Sequence, residues 1–591
     1  MVPLFQRRWV RLIALSLGVA AALGGLGYAL RYQGARVYLD LPSYTHNEGE
    51  TLQYKLPMRD GVRLFTQVYL PEGPGPWPVV FVRNPYDVAG TFGFVCGIFN
   101  RMGYGCVHQD VRGRMRSEGE WYPIANERND GLDTLDWLVK QDFMDGNIAL
   151  YGMSYLAGVQ WAVADELPPE VKTMIPMVYG TDAYTVQYEG GLFRHEVITA
   201  WASLMPRDSM RFDNGEAYHA ATRHRPASEA DVQALGVPID WYREWIHSDT
   251  RSGPFWNQEE VRFMGQQPAR TQVPVLAIGG WFDLFLAAQM KDFARLPRRA
   301  ESRYIIGPWH HLQRSDIDLP NDPGQAGQWA EVLEWLDHHL RGAPYQRKTG
   351  VIATYAMGQG AWHERSDFPP ATEPLTMHLG GFEASAGCEG GLLSAQPQKG
   401  AQTYTYDPDD PVPSIGGTAL LAFAFKTFDG VQPGPVQQGQ LCERPDVLTF
   451  RSAPLDTSVH IAGSMTVDLQ VKSEAPDTAF TVKVLEERAD GSVVNIREGA
   501  RTLAHREGDV QRVRYQPGTE VQVSVRLWPM EWRLEKGSRL RLEVSSSNFP
   551  ALAAHSNRFG PWASQTGADI TNNTVLSGSQ LTLPVWTGSA P

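Results

Sequence analysis

The hydrophobic pattern in the first part of the chain alternates between strands and helices. Short strands, the first of them buried, are predicted at residues 104–110 and 148–151. Residues 129–140 place leucines on one face of a helix, and residues 153–164 form a second helix of small and apolar residues. Strands that alternate with helices predict a parallel sheet covered on both faces, which is an α/β fold.

The pattern changes twice further along the chain. Residues 191–268 lose the strand alternation and contain helical pieces rich in Trp, His and Arg, which predicts a helical cap inserted into the α/β domain. That domain is then expected to comprise residues 45–190 and 269–348. From residue 349 to 591, apolar and polar positions alternate in short segments separated by Gly, Pro and Asp. This period of two predicts an antiparallel β sandwich of the jelly-roll type.

An uncharged apolar stretch at residues 12–30 comes after Arg7, Arg8 and Arg11. As a helix these 19 residues would reach about 28 Å, close to the hydrocarbon thickness of a bilayer. Basic residues ahead of such a stretch favour a cytoplasmic N-terminus and export of the rest of the chain. Residues 1–35 are therefore expected to form a membrane anchor, and a cleaved signal peptide is the alternative.

Composition and charge exclude several classes of protein. With 42% hydrophobic and 20% charged residues the chain can bury several cores, which excludes a disordered protein. A net charge of −13 disfavours a nucleic-acid partner, because phosphate binders need a basic surface. Four cysteines are too few for a disulfide scaffold. In an exported protein Cys388 and Cys442 are a candidate pair, and four reduced thiols are the alternative.

Candidate chemistry lies at residues 148–164, where a strand, the sequence Gly-Met-Ser-Tyr and a helix come one after another. A nucleophile elbow needs a small residue two positions before the serine, because the turn is too tight for a side chain, and Gly152 precedes Ser154 in this way. Leu156 occupies the place of the second glycine of the general G-x-S-x-G motif, so that motif is half matched. The alternative is an ordinary serine that caps a helix.

Residues suited to activate Ser154 come after two later strands. Asp283 comes shortly after the apolar run 273–280, and His310 and His311 come after the run 303–309. The order Ser, Asp, His is that of the α/β-hydrolase fold. A histidine takes the proton of the serine, and an acid orients the histidine. The chain has no H-E-x-x-H or other familiar zinc motif, so neither a metal nor a cofactor is expected.

Several sequence blocks resemble those of the cocaine-esterase/NonD hydrolases, relatives of Xaa-Pro dipeptidyl-peptidases and α-amino-acid ester hydrolases. The blocks are RNPYD (residues 83–87), QDVRGRMRSEGEW (109–121), DGLDTLDWL, GMSYLAG, GGWFD, GPWHH and SSSNFP (545–550). The resemblance extends from about residue 45 to 591. It implies an α/β-hydrolase domain with an inserted helical cap and a C-terminal jelly roll. The family elbow is similar to G-x-S-Y-x-small, which Leu156 and Ala157 fit.

The resemblance also implies roles for individual residues. By this resemblance Ser154 would be the nucleophile, Asp283 the orienting acid and His311 the base. The two oxyanion donors would be the Tyr86 hydroxyl and the Tyr155 backbone N–H. The family pattern Gly-Pro-Trp-x-His selects His311 as the base. His310 is then expected to point away from Ser154, because neighbours in an extended segment face opposite sides.

The expected function is hydrolysis of a small ester, amide or short peptide through an acyl-enzyme. An Xaa-Pro dipeptidyl-peptidase or α-amino-acid ester hydrolase would in addition hold a free α-amine with carboxylates, for which Asp182, Glu189 and Glu196 are candidates. Trp281 is a further candidate substrate contact. An alternative of another class is a non-catalytic envelope protein that binds a polymer on a hydrolase scaffold. The complete Ser-Asp-His set speaks against that alternative.

Overall fold

The computed structural model describes residues 30–86, 89–205, 215–420 and 432–588. The expected anchor or signal segment lies, up to residue 29, outside the described residues. Within the described ranges, no helix combines the length and the apolar character needed to cross a bilayer. A helix that ends at residue 38 leads into the first strand, and its Tyr32 side chain is buried against the body of the protein.

The α/β domain contains a ten-stranded sheet in the order β1-β2-β4-β3-β5-β6-β9-β10-β11-β12. The elements that precede the cap are β1 (Glu48–Pro57), β2 (Arg63–Pro71), β3 (Trp77–Asn84), α1 (Ala89–Arg101), β4 (Gly105–Asp110), α2 (Glu127–Leu138), β5 (Met144–Met153), α3 (Tyr155–Trp161) and β6 (Val171–Met177). Those that come after the cap are β9 (Leu276–Phe282), α10 (Leu286–Ala294), β10 (Arg303–His310), α11 (Gly324–Arg341), β11 (Val351–Ala356) and β12 (Ala361–Arg365).

In this sheet order, the seven strands from β4 through β3, β5, β6, β9 and β10 to β11 pair in parallel. The strands at both edges, β1 and β2 on one side and β12 on the other, pair antiparallel. Every residue of β4, β9 and β10 is buried. Helices on both faces exclude water from these strands, and apolar residues accordingly predominate in β9 and β10. Because β5, β9 and β10 run parallel, their carboxyl ends lie at the same edge of the sheet. Ser154, Asp283 and His311 come directly after these three strand ends.

The cap lies between β6 and β9. Its elements are α4 (Ala183–Gln187), β7 (Tyr188–Glu189), β8 (Leu192–Phe193), α5 (His195–Leu204), α6 (Gly215–Arg223), α7 (Ala230–Gln233), α8 (Asp240–His247) and α9 (Glu259–Gln266). The first of these helices begins before the expected cap boundary at residue 191. Buried aromatic side chains fill the core of the cap, among them Tyr188, Phe193, Trp241, Tyr242 and Trp245.

The C-terminal part forms a twelve-stranded β sheet that is antiparallel apart from the pair β14–β16. Its strands are β13 (Glu373–Gly380), β14 (Gly391–Ser394), β15 (Ala401–Tyr406), β16 (Leu448–Ser452), β17 (Val459–Gly463), β18 (Thr466–Ser473), β19 (Ala479–Glu487), β20 (Val493–Thr502), β21 (Val521–Arg526), β22 (Met530–Leu534), β23 (Arg539–Ser545) and β24 (Thr571–Val585). In β18 buried and half-buried residues alternate strictly, as the period of two predicted. Beyond the expected boundary at residue 349, β11 pairs in parallel with β10 and extends the α/β sheet together with β12.

Both pairs of cysteines are bonded. Cys388 and Cys442 form the disulfide that the sequence suggested, with 4.8 Å between their Cα atoms. Cys96 in α1 and Cys106 in β4 form a second one, with a Cα–Cα distance of 5.3 Å. This second pair was not predicted, because sequence separation does not show that α1 packs directly against β4.

Candidate active site

Ser154 sits in a sharp turn between β5 and α3. Its backbone has φ 55° and ψ −129°, a left-handed conformation that costs free energy in a residue other than glycine. The Ser154 N–H donates to the carbonyl of Met177 at 2.9 Å and so helps to hold the turn. A Cβ atom at Gly152 would lie 2.4 Å from Cβ of Leu156, so no larger residue fits there. The local sequence thus forms a nucleophile elbow with Leu156 in place of the usual second glycine.

A chain of hydrogen bonds leads from Ser154 to a buried carboxylate. Nε2 of His311 lies 3.0 Å from Oγ of Ser154, and Nδ1 lies 2.8 Å from Oδ2 of Asp283. The other oxygen of Asp283, which is fully buried, accepts the backbone N–H of Phe285 at 2.5 Å. A carboxylate can only accept, so Nδ1 of His311 carries the proton of that bond and Nε2 of the neutral ring accepts from the serine hydroxyl. We call Ser154, His311 and Asp283 the triad.

The neighbouring His310 points the other way. Its Nε2 lies 3.4 Å from Oδ2 of Asp316, and its Nδ1 accepts the backbone N–H of Leu312 at 3.2 Å. The side chain is buried, and this burial lowers the pKa of His310. His310 is therefore a neutral, structural neighbour of the triad histidine.

Tyr86 lies on the loop after β3 and faces the elbow. The Asn84 side chain holds this loop, because it donates to the Tyr86 carbonyl at 2.8 Å and accepts the Tyr86 N–H at 3.1 Å. Burial of its hydroxyl raises the pKa of Tyr86, whereas interactions with the Trp201 indole and the Ser154 hydroxyl act in the opposite direction. The phenol is consequently protonated at neutral pH and carries a proton that it can donate next to Ser154.

Tyr155 is the first residue of α3, where a backbone N–H has no carbonyl one turn earlier to bond with. Its side chain is engaged elsewhere: the hydroxyl donates to Oε1 of Glu127 at 2.8 Å and accepts the Ile124 N–H at 2.9 Å. Glu127 in turn forms a buried ion pair with Arg83 at 2.7 Å. Sequence reasoning missed this support, although Arg83 opens the RNPYD block.

Aromatic side chains surround the triad on the cap side. Trp201 of α5 stacks on the ring of Tyr155, with 6.3 Å between centroids, and packs 5.0 Å from Trp241. Across the site the ring of Phe285 lies 5.5 Å from that of His311. The abundance of Trp in the cap was visible in the sequence, but its position over the elbow depends on tertiary packing. Walls of this kind suit an apolar acyl or alcohol group.

Two of the expected substrate contacts have structural partners instead. Trp281 is completely buried, and its indole N–H donates to the Tyr355 carbonyl at 2.7 Å, so its expected contact with substrate is corrected to a core position. Asp182 caps α4 and bonds to both terminal nitrogens of Arg251, at 3.0 and 3.1 Å. Burial works to raise the pKa of Asp182, but Arg251 outweighs it, and the pKa falls to about 2.

The two remaining carboxylates also have protein partners. Glu189 pairs with Arg194 at 2.6 Å. Glu196 is buried, and its oxygens accept the Leu420 N–H at 3.1 and 3.2 Å. Like Asp182, Glu189 therefore has a cationic partner within the protein, and Glu196 is shielded from solvent.

A separate cavity of about 190 Å³ lies between the cap and the β domain. Phe193, His195, His505 and Trp562 are among the residues that line it, and no residue of the triad does. Substrate bound there would not contact the nucleophile.

One group of described residues has the spacing of metal ligands: His363, His460 and Glu531. Both oxygens of the Glu531 carboxylate already accept from Arg365, at 2.8 and 2.9 Å, and one also accepts from Thr354 at 2.5 Å. Burial works to raise the pKa of Glu531, but the hydrogen bonds from His363, His460 and Arg365 hold it well below its usual range. The cluster is an internal ion pair that joins the α/β sheet to the β domain.

Fold and site together define the protein as a serine hydrolase of the α/β-hydrolase class. Residues 60–313 match the X-Pro dipeptidyl-peptidase (S15) family, and residues 345–582 match the X-Pro dipeptidyl-peptidase C-terminal non-catalytic domain. The chain is 31% identical over 542 residues to the cocaine esterase of Rhodococcus sp. (strain MB1 Bresler), a match that covers 85% of this chain and 92% of that protein. The chain thus belongs to the CocE/NonD family of serine hydrolases.

Solved structures share the fold across both domains. An aminopeptidase from the marine sediment archaeon Thaumarchaeota archaeon superposes with a TM-score of 0.77 and 22% identity, covering 92% of this chain and 98% of that one. An α-amino acid ester hydrolase gives a TM-score of 0.76 at 22% identity, with the same coverage. The expected family, the fold class and the activity on ester or amide bonds are confirmed.

Proposed function

We propose that the chain hydrolyses carboxylic esters in two steps at Ser154. Oγ of Ser154 attacks the ester carbonyl while Nε2 of His311 takes its proton, and the Tyr86 hydroxyl and the Tyr155 N–H stabilise the oxyanion. The intermediate expels the alcohol, which receives the proton from His311, and leaves an acyl-serine. Water, deprotonated by His311, then releases the carboxylic acid. The 3.0 Å contact between His311 and Ser154 carries this assignment.

The acyl group of the substrate has no free α-amine in this proposal. An amine-dependent hydrolase must hold an ammonium ion with a carboxylate that has no stronger partner. Among the described residues, the candidates Asp182 and Glu189 are paired with Arg251 and Arg194, and the third candidate, Glu196, is buried. This supports an esterase for apolar acyl groups over an Xaa-Pro dipeptidyl-peptidase or an α-amino-acid ester hydrolase.

Export and membrane attachment are also proposed. The apolar stretch at residues 12–30, with three arginines ahead of it, supports a single-helix anchor, and a cleaved signal peptide is the alternative. Two disulfides support an oxidising compartment. The burial of Tyr32 leaves only a short connection between such an anchor and the catalytic body.

Rates on a matched panel of substrates test the proposed preference. The panel pairs p-nitrophenyl butyrate and benzoate with glycyl-prolyl and alanyl p-nitroanilides and with an alanyl ester, and the Ser154→Ala variant is the control. We expect kcat/KM to be at least about tenfold higher for the esters without an amine than for the compounds with a free α-amine. A factor of this size is what one ammonium group without a partner in the site would cost. Higher kcat/KM for the compounds with a free α-amine would contradict the proposal and favour the peptidase or amino-acid ester hydrolase.

A further inference from the structure

The strand that precedes the triad acid, β9, loses its regular pairing with β10 just before Asp283. β9 and β10 pair in register up to Gly280 and Gly307, and the register then shifts before Phe282 pairs with His310. The interrupted stretch of β10 contains Pro308, which has no N–H to donate. The backbone of Trp281, two residues before Asp283, therefore needs hydrogen-bond partners from outside the ladder.

Arg497 of β20 supplies such a partner from the C-terminal domain. Its Nη1 donates to the Trp281 carbonyl at 2.7 Å, and its Nη2 donates to the Pro529 carbonyl at 3.0 Å. The guanidinium also lies 5.6 Å from the centroid of the Phe282 ring. Arg497 thus contacts the last two residues of β9 and ties them to the β domain.

The surroundings of Arg497 show that this contact is deeply buried. Burial lowers the pKa of Arg497 to about 10, so the side chain keeps its charge at neutral pH. A cavity of about 20 Å³ beside it is lined by Phe282, Glu189, Arg194 and Glu498, and this volume suffices for one water molecule. Burying a charged guanidinium costs free energy. A role in holding the end of β9 in place accounts for a charged side chain at this buried position.

We infer that Arg497 is a positioning residue for the triad: it fixes the end of β9 and thereby the Asp283 carboxylate against His311. This role rests on the proposed function of the triad. It gives the C-terminal domain, which belongs to a family described as non-catalytic, a part in the reaction.

Removal of the guanidinium tests this role. Arg497→Met leaves the Trp281 carbonyl without its donor, and a displacement of Asp283 of well under 1 Å should lower kcat about tenfold while KM stays within about twofold. The control is Arg541→Met, which removes a guanidinium of similar burial from β23 of the same domain, where it pairs with Glu543 at 2.6 Å. That variant should lose thermal stability but keep kcat within about twofold.

A double-mutant cycle separates positioning from a general loss of stability. If Arg497 acts through Asp283, then adding Arg497→Met to Asp283→Asn should slow single-turnover acylation no further, because the effect is already lost. A further tenfold loss in the double variant, or an unchanged kcat in Arg497→Met, would overturn the inference. An Asp283→Asn enzyme with the wild-type rate would instead refute the proposed triad.

A second variant covers the case in which Arg497→Met does not fold. Arg497→Lys keeps the charge and one donor but cannot bridge two carbonyls. Its kcat should fall between about twofold and tenfold, and the loss should again vanish in the Asp283→Asn background. A loss that persists in that background would overturn the inference in the same way.

Discussion

Replacing Tyr86 by Phe removes one hydroxyl group and leaves the ring in place. In the folded protein that hydroxyl faces Ser154 and the Trp201 indole, whereas the loop itself is held through two hydrogen bonds of Asn84 at 2.8 and 3.1 Å. The variant should therefore fold with the loop in its native place. Loss of one preorganised oxyanion donor raises the barrier by about 3 to 4 kcal/mol, which lowers kcat about 10²- to 10³-fold.

The assay is steady-state hydrolysis of p-nitrophenyl butyrate by the wild-type enzyme and two variants. The fall should appear in kcat, with KM within about threefold, because the hydroxyl bonds to an oxygen that is charged only in the transition state. Tyr406→Phe is the matched control: its fully buried hydroxyl donates to the His555 carbonyl at 3.1 Å in the β domain. Its loss should cost about 1 kcal/mol of stability and leave kcat unchanged.

Two results would refute this reasoning. A Tyr86→Phe enzyme with kcat within about threefold of the wild type would show that Tyr86 does not stabilise the oxyanion. An equal fall of kcat in Tyr406→Phe would show that the loss comes from general destabilisation and not from the site.

Two further predictions concern the adjacent histidines and the buried Glu531. His311→Ala should slow single-turnover acylation about 10⁴-fold, whereas His310→Ala should slow it at most about tenfold; the reverse order would assign the base to His310. Because the pKa of Glu531 is depressed in the folded protein, its carboxylate stabilises the fold above the unfolded value of about 4.3, and this contribution is lost as the pH falls. In thermal melts, Glu531→Gln should therefore unfold at a lower temperature than the wild type at pH 7, and the difference should shrink towards pH 3. Equal melting temperatures at pH 7 would contradict the assignment of Glu531 as a stabilising buried carboxylate.

The sequence was sufficient for the residues whose chemistry lies just after a strand end. Ser154, Asp283 and His311 could be proposed together because each comes directly after a buried apolar run, and parallel strands bring their carboxyl ends to one edge of the sheet. The choice between His310 and His311 came from the family pattern. The structure places His311 against Ser154 and turns His310 towards Asp316.

The sequence was insufficient wherever the partner of a side chain comes from a distant element. Asp182 looked like a free carboxylate until Arg251 was placed beside it. Trp281 looked like part of the site because it lies two residues before Asp283, yet it belongs to the buried strand β9, and its side chain packs in the core. The contact of Arg497 with Trp281 joins two domains across more than 200 residues of chain, and no local pattern indicates it.

A covalent adduct would identify the nucleophile whichever ester the enzyme prefers. The purified enzyme is treated with a fluorophosphonate, digested, and mapped by mass spectrometry, with Ser154→Ala treated in parallel. We expect one phosphonyl group per chain on the peptide that contains Ser154, loss of ester hydrolysis in proportion to labelling, and no label on the alanine variant. Full labelling and hydrolysis in Ser154→Ala, or an adduct on another residue, would contradict the assignment of Ser154 as the nucleophile.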